Sequence, residues 1–481
     1  MLSDSQIARF NPWWSNPGWE AADPHLRRLE SQAVRLPAPQ VEEFDLRVPA
    51  IHVLRGPRQA GKSTDLKLLV RRALAAGSEA RSVVYLSLDL LEGQPPTALA
   101  ETVDRALELA GSSASRLLLL DEVTAAERWQ NAVKALWDDG RIDRDVVVCT
   151  GSSAIDLAAG AAERLPGRRG PGRDFLVMPQ GFPAFAHALD EANPPGPGLS
   201  VAEIVSHDGQ AALLDARLHL PSLQRALEQY LAFGGLPAAV AEAVGGRAEP
   251  SEQVRSVLWD SLVKEVQGRG ASIPATQALL ERVMRSLGSK MSWSKMAREM
   301  AVPLGGRRRG GGGKTDPRAL QSYVEFLAIN YFALVLYFWK QASGSGDAAK
   351  DKKVYFGDPL LQTIVAERVG LPRDRHADVE NAVALALYRR YEPIERCAEN
   401  MVAPERLHVW GTRSGGEIDF VCGPREGIDA VEVADWEAVN RQKATAPMRA
   451  LPGRPAVVAT REELSFGSSA NLVPAALLLW A

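Results

Sequence analysis

The chain has 481 residues, 46% of them hydrophobic and 24% charged, which suits roughly three soluble globular domains of ~100–200 residues each. Its 56 basic and 59 acidic side chains sum to −3, which excludes nucleic-acid binding by overall basicity and leaves only a local patch for such a contact. Cys149, Cys397 and Cys422 are far apart with no CxxC, so a disulfide framework and a structural zinc site are excluded and a reducing cytoplasm is expected.

Residues 1–48 are rich in Trp and Pro and poor in strand patterns, so they are expected to form a leader packed onto the next domain. The N-terminus lacks a basic-then-apolar signal pattern. From Ile51, apolar strands (Ile51–Leu54, Val83–Leu88, Leu117–Leu120, Val146–Cys149) alternate with helical stretches. That alternation predicts an α/β domain over 49–200, a parallel sheet with helices on both faces.

The first of these strands runs into Gly56-Pro57-Arg58-Gln59-Ala60-Gly61-Lys62-Ser63-Thr64, which fits G-x-x-x-x-G-K-[ST], the P-loop. Gly56 and Gly61 let the loop curl so that backbone N–H groups face phosphates. Lys62 places a charge on the β- and γ-phosphates of ATP, and the Ser63 hydroxyl ligates Mg²⁺. A helix follows from Asp65, adding its N-terminal dipole.

The second half of such a site is expected at another strand end. Four leucines, Leu117–Leu120, end in Asp121-Glu122. Asp121 would hold the Mg²⁺ shell and Glu122 would act as general base toward the attacking water. Alternatively, both acids cap a helix beginning near Thr124. The strand Val146–Cys149 ends in Thr150-Gly151-Ser152-Ser153, and likeness to P-loop ATPases with a catalytic Glu implies that it inserts between the P-loop strand and the acidic strand. Thr150 and Ser152 would then contact the γ-phosphate or the water, or else cap the next turn.

Taken in order, these motifs resemble the prokaryotic AAA-type, archaeal-ATPase-like ATP-binding proteins, which carry a C-terminal restriction-endonuclease-like domain. Pro166-Gly167-Arg168, Pro179 to Phe185, Tyr230 to Pro237 (YLAFGGLP), Glu380-Asn381 and Trp410 to Val421 agree with it, and Arg9 to Trp14 (RFNPWW) resembles the leader of one subgroup. The resemblance implies an ASCE/AAA-type ATPase core that binds ATP, with a ring or other homo-oligomer. Within it, Arg168 is the candidate arginine finger, with Arg169 and Arg173 as alternatives and a solvated basic loop as the plain reading.

Beyond residue 200 the strands stop. A helical lid is expected over 201–270, broken at Gly234-Gly235-Leu236-Pro237, and the resemblance implies a winged-helix-like domain over 271–345. Ser292–Met300 and Asp316–Asn330 would be its two helices and Tyr331–Trp339 its wing strands. Asp316 is a natural N-cap and Pro317 a first helical residue. Between the helices lies Gly305–Lys314 (GGRRRGGGGK), a loop too long for an ordinary helix-turn-helix, whose Arg307, Arg308 and Arg309 suit phosphate contacts of low sequence specificity. Phe326–Trp339, the longest apolar run, is broken by Asn330 and falls short of the ~20 residues a membrane span needs.

Ser343–Lys353 reads as a polar linker, and 346–481 as a PD-(D/E)xK nuclease-like domain with a helix near Val379–Arg390 and strands Leu407–Thr412, Ile418–Val421 and Ala430–Val433. Asp419, Glu432 and Glu380 would be its acids. The activating lysine is replaced by Ala434, which can supply neither charge nor donor, and Lys443 is the nearest substitute. Cleavage is therefore expected to be lost. The reading that follows is a cytoplasmic, Mg²⁺-dependent, oligomeric ATPase acting on DNA. Its alternatives are a nucleotide-gated scaffold that recruits a protein partner and an ATPase-controlled nuclease.

Overall fold

The computed structural model describes residues 1–32, 34–151, 167–300, 302–304, 315–340, 343–392, 401–411, 416–423, 429–434, 440–451 and 454–481. The chain divides into two compact units, with the boundary at Met178/Pro179.

The first unit is built on a five-stranded sheet of β1 (Ala50–Arg55), β2 (Val83–Ser87), β3 (Leu117–Asp121), β4 (Val146–Thr150) and β5 (Asp174–Leu176), in the order β2-β3-β4-β1-β5. Every pairing is parallel. β4 lies between the P-loop strand and the acidic strand, as likeness to P-loop ATPases implied; β5, three residues long, carried no readable apolar run.

Side chains alternate between the two faces of the sheet. The leader contributes α1 (Asp4–Phe10), α2 (Pro24–Ser31) and α3 (Pro39–Glu43). One face packs Ile51, Val53, Leu86, Leu118, Leu120 and Val147 against α5 (Pro96–Ala110) and α6 (Trp129–Asp138). The other packs Leu54, Tyr85, Leu119 and Val148 against α4 (Lys62–Ala75).

The leader wraps the sheet from one face to the other. Leu2, and Ile7 of α1, join the first cluster; Trp13, Trp19 and Leu26 join the second. Between them it seals the outer edge of β2. Asn11 donates from Nδ2 to the Tyr85 carbonyl (2.9 Å) and accepts from the Tyr85 N–H at Oδ1 (2.7 Å). Trp13 and Trp14 both donate indole N–H to the Val83 carbonyl, at 2.9 and 3.0 Å. These side chains do what a neighbouring strand would do, and so blunt an edge that would otherwise invite pairing with another chain. The RFNPWW segment thus has a structural use that its composition alone did not reveal.

The second unit holds a seven-stranded mixed sheet, β12-β11-β10-β9-β8-β6-β7, with helices around it. Its strands are β6 (Ala333–Lys340), β7 (Ser345–Phe356), β8 (Leu407–Gly411), β9 (Glu417–Cys422), β10 (Asp429–Ala434), β11 (Ala456–Thr460) and β12 (Asn471–Pro474). Helix Pro317–Ile329 starts where expected, with Asp316 accepting from the Arg318 N–H (2.9 Å) and proline at the first position.

Two expectations change here. Residues 343–353 are not a linker: most of them belong to β7, a polar strand tolerated because it is the sheet's edge. The segment read as wing strands, Tyr331–Trp339, supplies a single strand, β6, which forms an antiparallel hairpin with β7 inside the large sheet and pairs β8 through Phe338 and Val409. The boundary expected at 345 therefore falls within that hairpin.

The YLAFGGLP segment is explained by packing in this unit. Gly234 ends helix Leu220–Phe233 with φ +65°. The Gly235 N–H donates to the buried Asp358 carboxylate (2.9 Å), and its carbonyl accepts from the Gln180 N–H (2.7 Å). A side chain at 235 would run into the Gln180 backbone. Among the described residues no helix is long and apolar enough to cross a membrane.

Candidate functional site

The C-terminal ends of β1, β3 and β4 lie side by side, with Leu54 opposite Thr150 and Leu120 opposite Cys149. In open parallel sheets this edge is where ligands bind. Gly56, Gln59 and Gly61 all have positive φ, at 150°, 67° and 107°. A β-carbon at Gly56 would collide with the Val177 carbonyl, so the loop can leave β1 there only with glycine. Pro57, Arg58 and Ala60 complete the turn, and α4 begins at Lys62, followed by the half-buried Ser63 and Thr64.

The Lys62 ammonium is buried and donates to the carbonyls of Gly56 (2.9 Å) and Pro57 (3.0 Å). Burial pushes it below the ordinary lysine value, while nearby Glu122 and Asp121 oppose that shift. Its charge is thus held beneath a loop whose N–H groups suit phosphate oxygens. A serine hydroxyl with a carboxylate is also the hard-oxygen set that Mg²⁺ prefers. The residues present fit Mg²⁺-ATP.

Asp121 ends β3 with both oxygens engaged. Thr150 Oγ1 donates to Oδ1 (2.5 Å) and Tyr85 Oη to Oδ2 (2.8 Å). Thr150 also accepts from the Glu122 N–H (3.2 Å), so it ties β4 to the acidic pair. Glu122 sits in the left-handed region (φ 56°) ahead of the short helix Val123–Ala125 and makes no side-chain cap bond to it, which removes the capping alternative for that residue. Ser152 lies outside the described residues, as do Arg307, Arg308 and Arg309.

Tyr85 was not singled out from sequence. Burial and the Asp121 charge push its phenol well up, so it remains a donor at neutral pH. Above its ring, at 3.5 Å from the centroid, lies Lys67 of α4, which also stands over Trp13 (5.0 Å) and pairs with Asp23 (3.5 Å). A period-2 strand pattern makes Tyr85 look like core, and nothing local marks its hydroxyl.

Arg168 donates to Asp138 from Nε (2.5 Å) and Nη2 (3.1 Å). Its side chain is 31% exposed, and an ion pair this open to water is weak. Arg169 pairs with Asp174, which also holds Arg55, and Arg173 donates to the Glu43 carbonyl (2.6 Å).

The second unit contains a separate buried charge centre. Lys353 of β7, its side chain 2% exposed, donates to Asp419 (2.7 Å) and Glu380 (3.0 Å) and pairs with Glu417 (2.8 Å). Tyr355 donates to Glu380 (2.7 Å), the Val433 N–H to Asp419 (2.8 Å), and the Asp419 N–H to Glu432 (3.2 Å). The three acids singled out from sequence do converge. The cation among them is Lys353; Lys443, the expected substitute for Ala434, is exposed on helix Arg441–Thr445. A lysine inside a strand that reads as a polar linker gives no sequence signal of this role. Burial alone would lower Lys353, but Tyr355, Asp419, Glu380 and Glu417 together hold it well above the ordinary lysine value. Burial and Asp419 raise both Glu380 and Glu432.

Residues 49–185, under a third of the chain, match a family model described as an AAA domain. No curated protein matches the sequence significantly. Solved structures similar to it include the ORC1 protein of Aeropyrum pernix in complex with DNA, at 15% identity over 74% of this chain and 96% of that one, TM-score 0.28. They also include the ORC2 protein of A. pernix in ADPNP-ADP complexes, at 12% identity over 72% and 91%, TM-score 0.34. DnaA from Aquifex aeolicus bound to AMPPCP is a third, at 16% identity over 57% and 81%, TM-score 0.23. Superpositions this loose carry no argument about partner or mechanism.

Proposed function

We propose that the first unit is a Mg²⁺-dependent ATPase and that the whole chain is an oligomeric AAA-type machine acting on DNA. The observation that carries the ATPase reading is the convergence of Lys62, Asp121, Glu122 and Thr150 at one edge of a parallel sheet. Lys62 and the loop N–H groups would hold the phosphates. Ser63 and Asp121 would hold Mg²⁺, which supplies positive charge to the phosphate oxygens when bound. Glu122 would accept the proton of the attacking water, oriented by the N–H bond to Thr150. Arg168 is the arginine we assign to a neighbour's site.

The DNA part rests on Arg307, Arg308 and Arg309 in a glycine-rich loop. Steady-state ATP turnover with and without duplex DNA tests it, together with a salt titration of binding. Changing the three arginines to alanine should flatten the slope of log K against log salt by about 0.9 for each phosphate they neutralise. An unchanged slope would remove the loop from the interface. No binding at low salt and no stimulation would favour a nucleotide-gated scaffold that recruits a protein partner.

We read the centre around Lys353 as an ionic core. Its ammonium is spent on three carboxylates and is not offered to a water. No cutting of single-stranded, duplex or branched DNA with Mg²⁺ or Mn²⁺ is expected. Cleavage by the wild-type protein that disappears in Asp419→Asn would overturn this.

A further inference from the structure

The leader and the acidic strand meet at one side chain. Asn11 holds the Tyr85 backbone by both its N–H and its carbonyl. Asp23, in the same leader, pairs with Lys67, whose ammonium lies 3.5 Å above the Tyr85 ring centroid. The hydroxyl at the far end of that ring donates to Asp121 Oδ2 at 2.8 Å. Thr150 already holds Oδ1, so Tyr85 sets the second and last oxygen of the carboxylate and thereby its rotation. All five groups are buried: Asn11, Asp23, Lys67, Tyr85 and Asp121.

We propose that Tyr85 is a positioning residue for Asp121, and that the N-terminal leader, through Asn11 and Asp23, sets Tyr85 in place and so belongs to the metal side of the nucleotide site. This rests on the reading of Asp121 as part of the Mg²⁺ shell. The physical basis is general. Groups that hydrogen-bond a metal-binding carboxylate fix its orientation, and their loss costs roughly 10–100-fold in metal affinity. The ammonium over the ring is attracted to its face and so helps to hold the Tyr85 side chain where its hydroxyl meets Asp121. Neither Tyr85 nor the leader needs to touch nucleotide for this.

The test measures equilibrium binding of a fluorescent ATP analogue as Mg²⁺ is titrated, for the full chain and three variants. Tyr85→Phe keeps the ring under Lys67 and removes only the hydroxyl. Asp23→Asn keeps the helix cap that Asp23 provides to His25 and Leu26 but removes the charge facing Lys67. Asp121→Asn reports on the underlying assignment. Melting curves establish that each variant is folded.

Tyr85→Phe is expected to raise the Mg²⁺ concentration at half-binding roughly tenfold while leaving Mg²⁺-free nucleotide affinity within about twofold, and Asp23→Asn to shift it the same way by less. A midpoint unchanged in Tyr85→Phe but abolished in Asp121→Asn overturns the positioning role and leaves the ATP site standing. A shift in Tyr85→Phe with none in Asp23→Asn overturns the leader's part. Wild-type Mg²⁺ dependence in Asp121→Asn overturns the assignment of Asp121 itself, and the inference with it.

Discussion

Lys62→Ala is expected to abolish ATP hydrolysis and most ATP binding, and Glu122→Gln to bind ATP while turning it over roughly 10²–10⁴-fold more slowly. The two losses have different causes. Lys62 sits at the first residue of α4, beneath the loop, where on the proposed reading its charge would meet the β- and γ-phosphates. Alanine leaves the loop N–H groups in place but no counter-charge, so ground-state binding and hydrolysis fall together. Glu122 bonds through its backbone N–H to Thr150, a contact that a change at its side chain does not remove. A glutamine amide of the same shape cannot accept the water's proton. Nucleotide binding by fluorescence and turnover by phosphate release separate the two effects. Wild-type turnover in Glu122→Gln would remove Glu122 as the base.

Much of this site is written locally in the chain. Gly56, Gly61, Lys62 and Ser63 lie within one turn, and four leucines leading into Asp121-Glu122 mark a buried strand end. Thr150 was singled out because a strand ends there, but its protein partners were not: its hydroxyl is shared between Asp121 and the Glu122 N–H. The parts that stayed hidden depend on pairings distant in sequence. Asn11 and Tyr85 are 74 residues apart, Tyr85 and Asp121 36, and Lys353 and Asp419 66. No hydrophobic period encodes such a pairing. β7 was missed for a related reason. Strand patterns are read from alternating apolar residues, and an edge strand is free to carry Asp and Lys where an inner one is not. The three acids Glu380, Asp419 and Glu432 were found because their segments resemble a nuclease-like family arrangement. The lysine that joins them was not, because it sits at the end of a polar stretch.

Lys353→Met should destabilise the second unit by ~3–5 kcal/mol, the usual cost of removing one partner from a buried ion pair and leaving the other charged. Methionine fills a similar volume, so the loss reports charge and not a cavity. The pH dependence carries the specific signature. In the native protein Lys353 is held above its ordinary value, so its contribution is complete below the unfolded lysine value of ~10.4 and is lost only as pH rises through the folded one. Glu380 and Glu432 are raised above theirs, so the folded state binds more protons than the unfolded one, and stability falls as pH climbs past ~4.3. Removing the ammonium strengthens that fall, because nothing then opposes burial of the carboxylates. The deficit of Lys353→Met relative to wild type should therefore be smallest near pH 5 and grow toward pH 8, as read from urea midpoints at the two values. Lys443→Met, at an exposed position, should stay within ~0.5 kcal/mol of wild type at both. An equal deficit for Lys353→Met at pH 5 and pH 8 would mean that the carboxyls do not depend on Lys353 for their charge, and that the centre is held by packing instead.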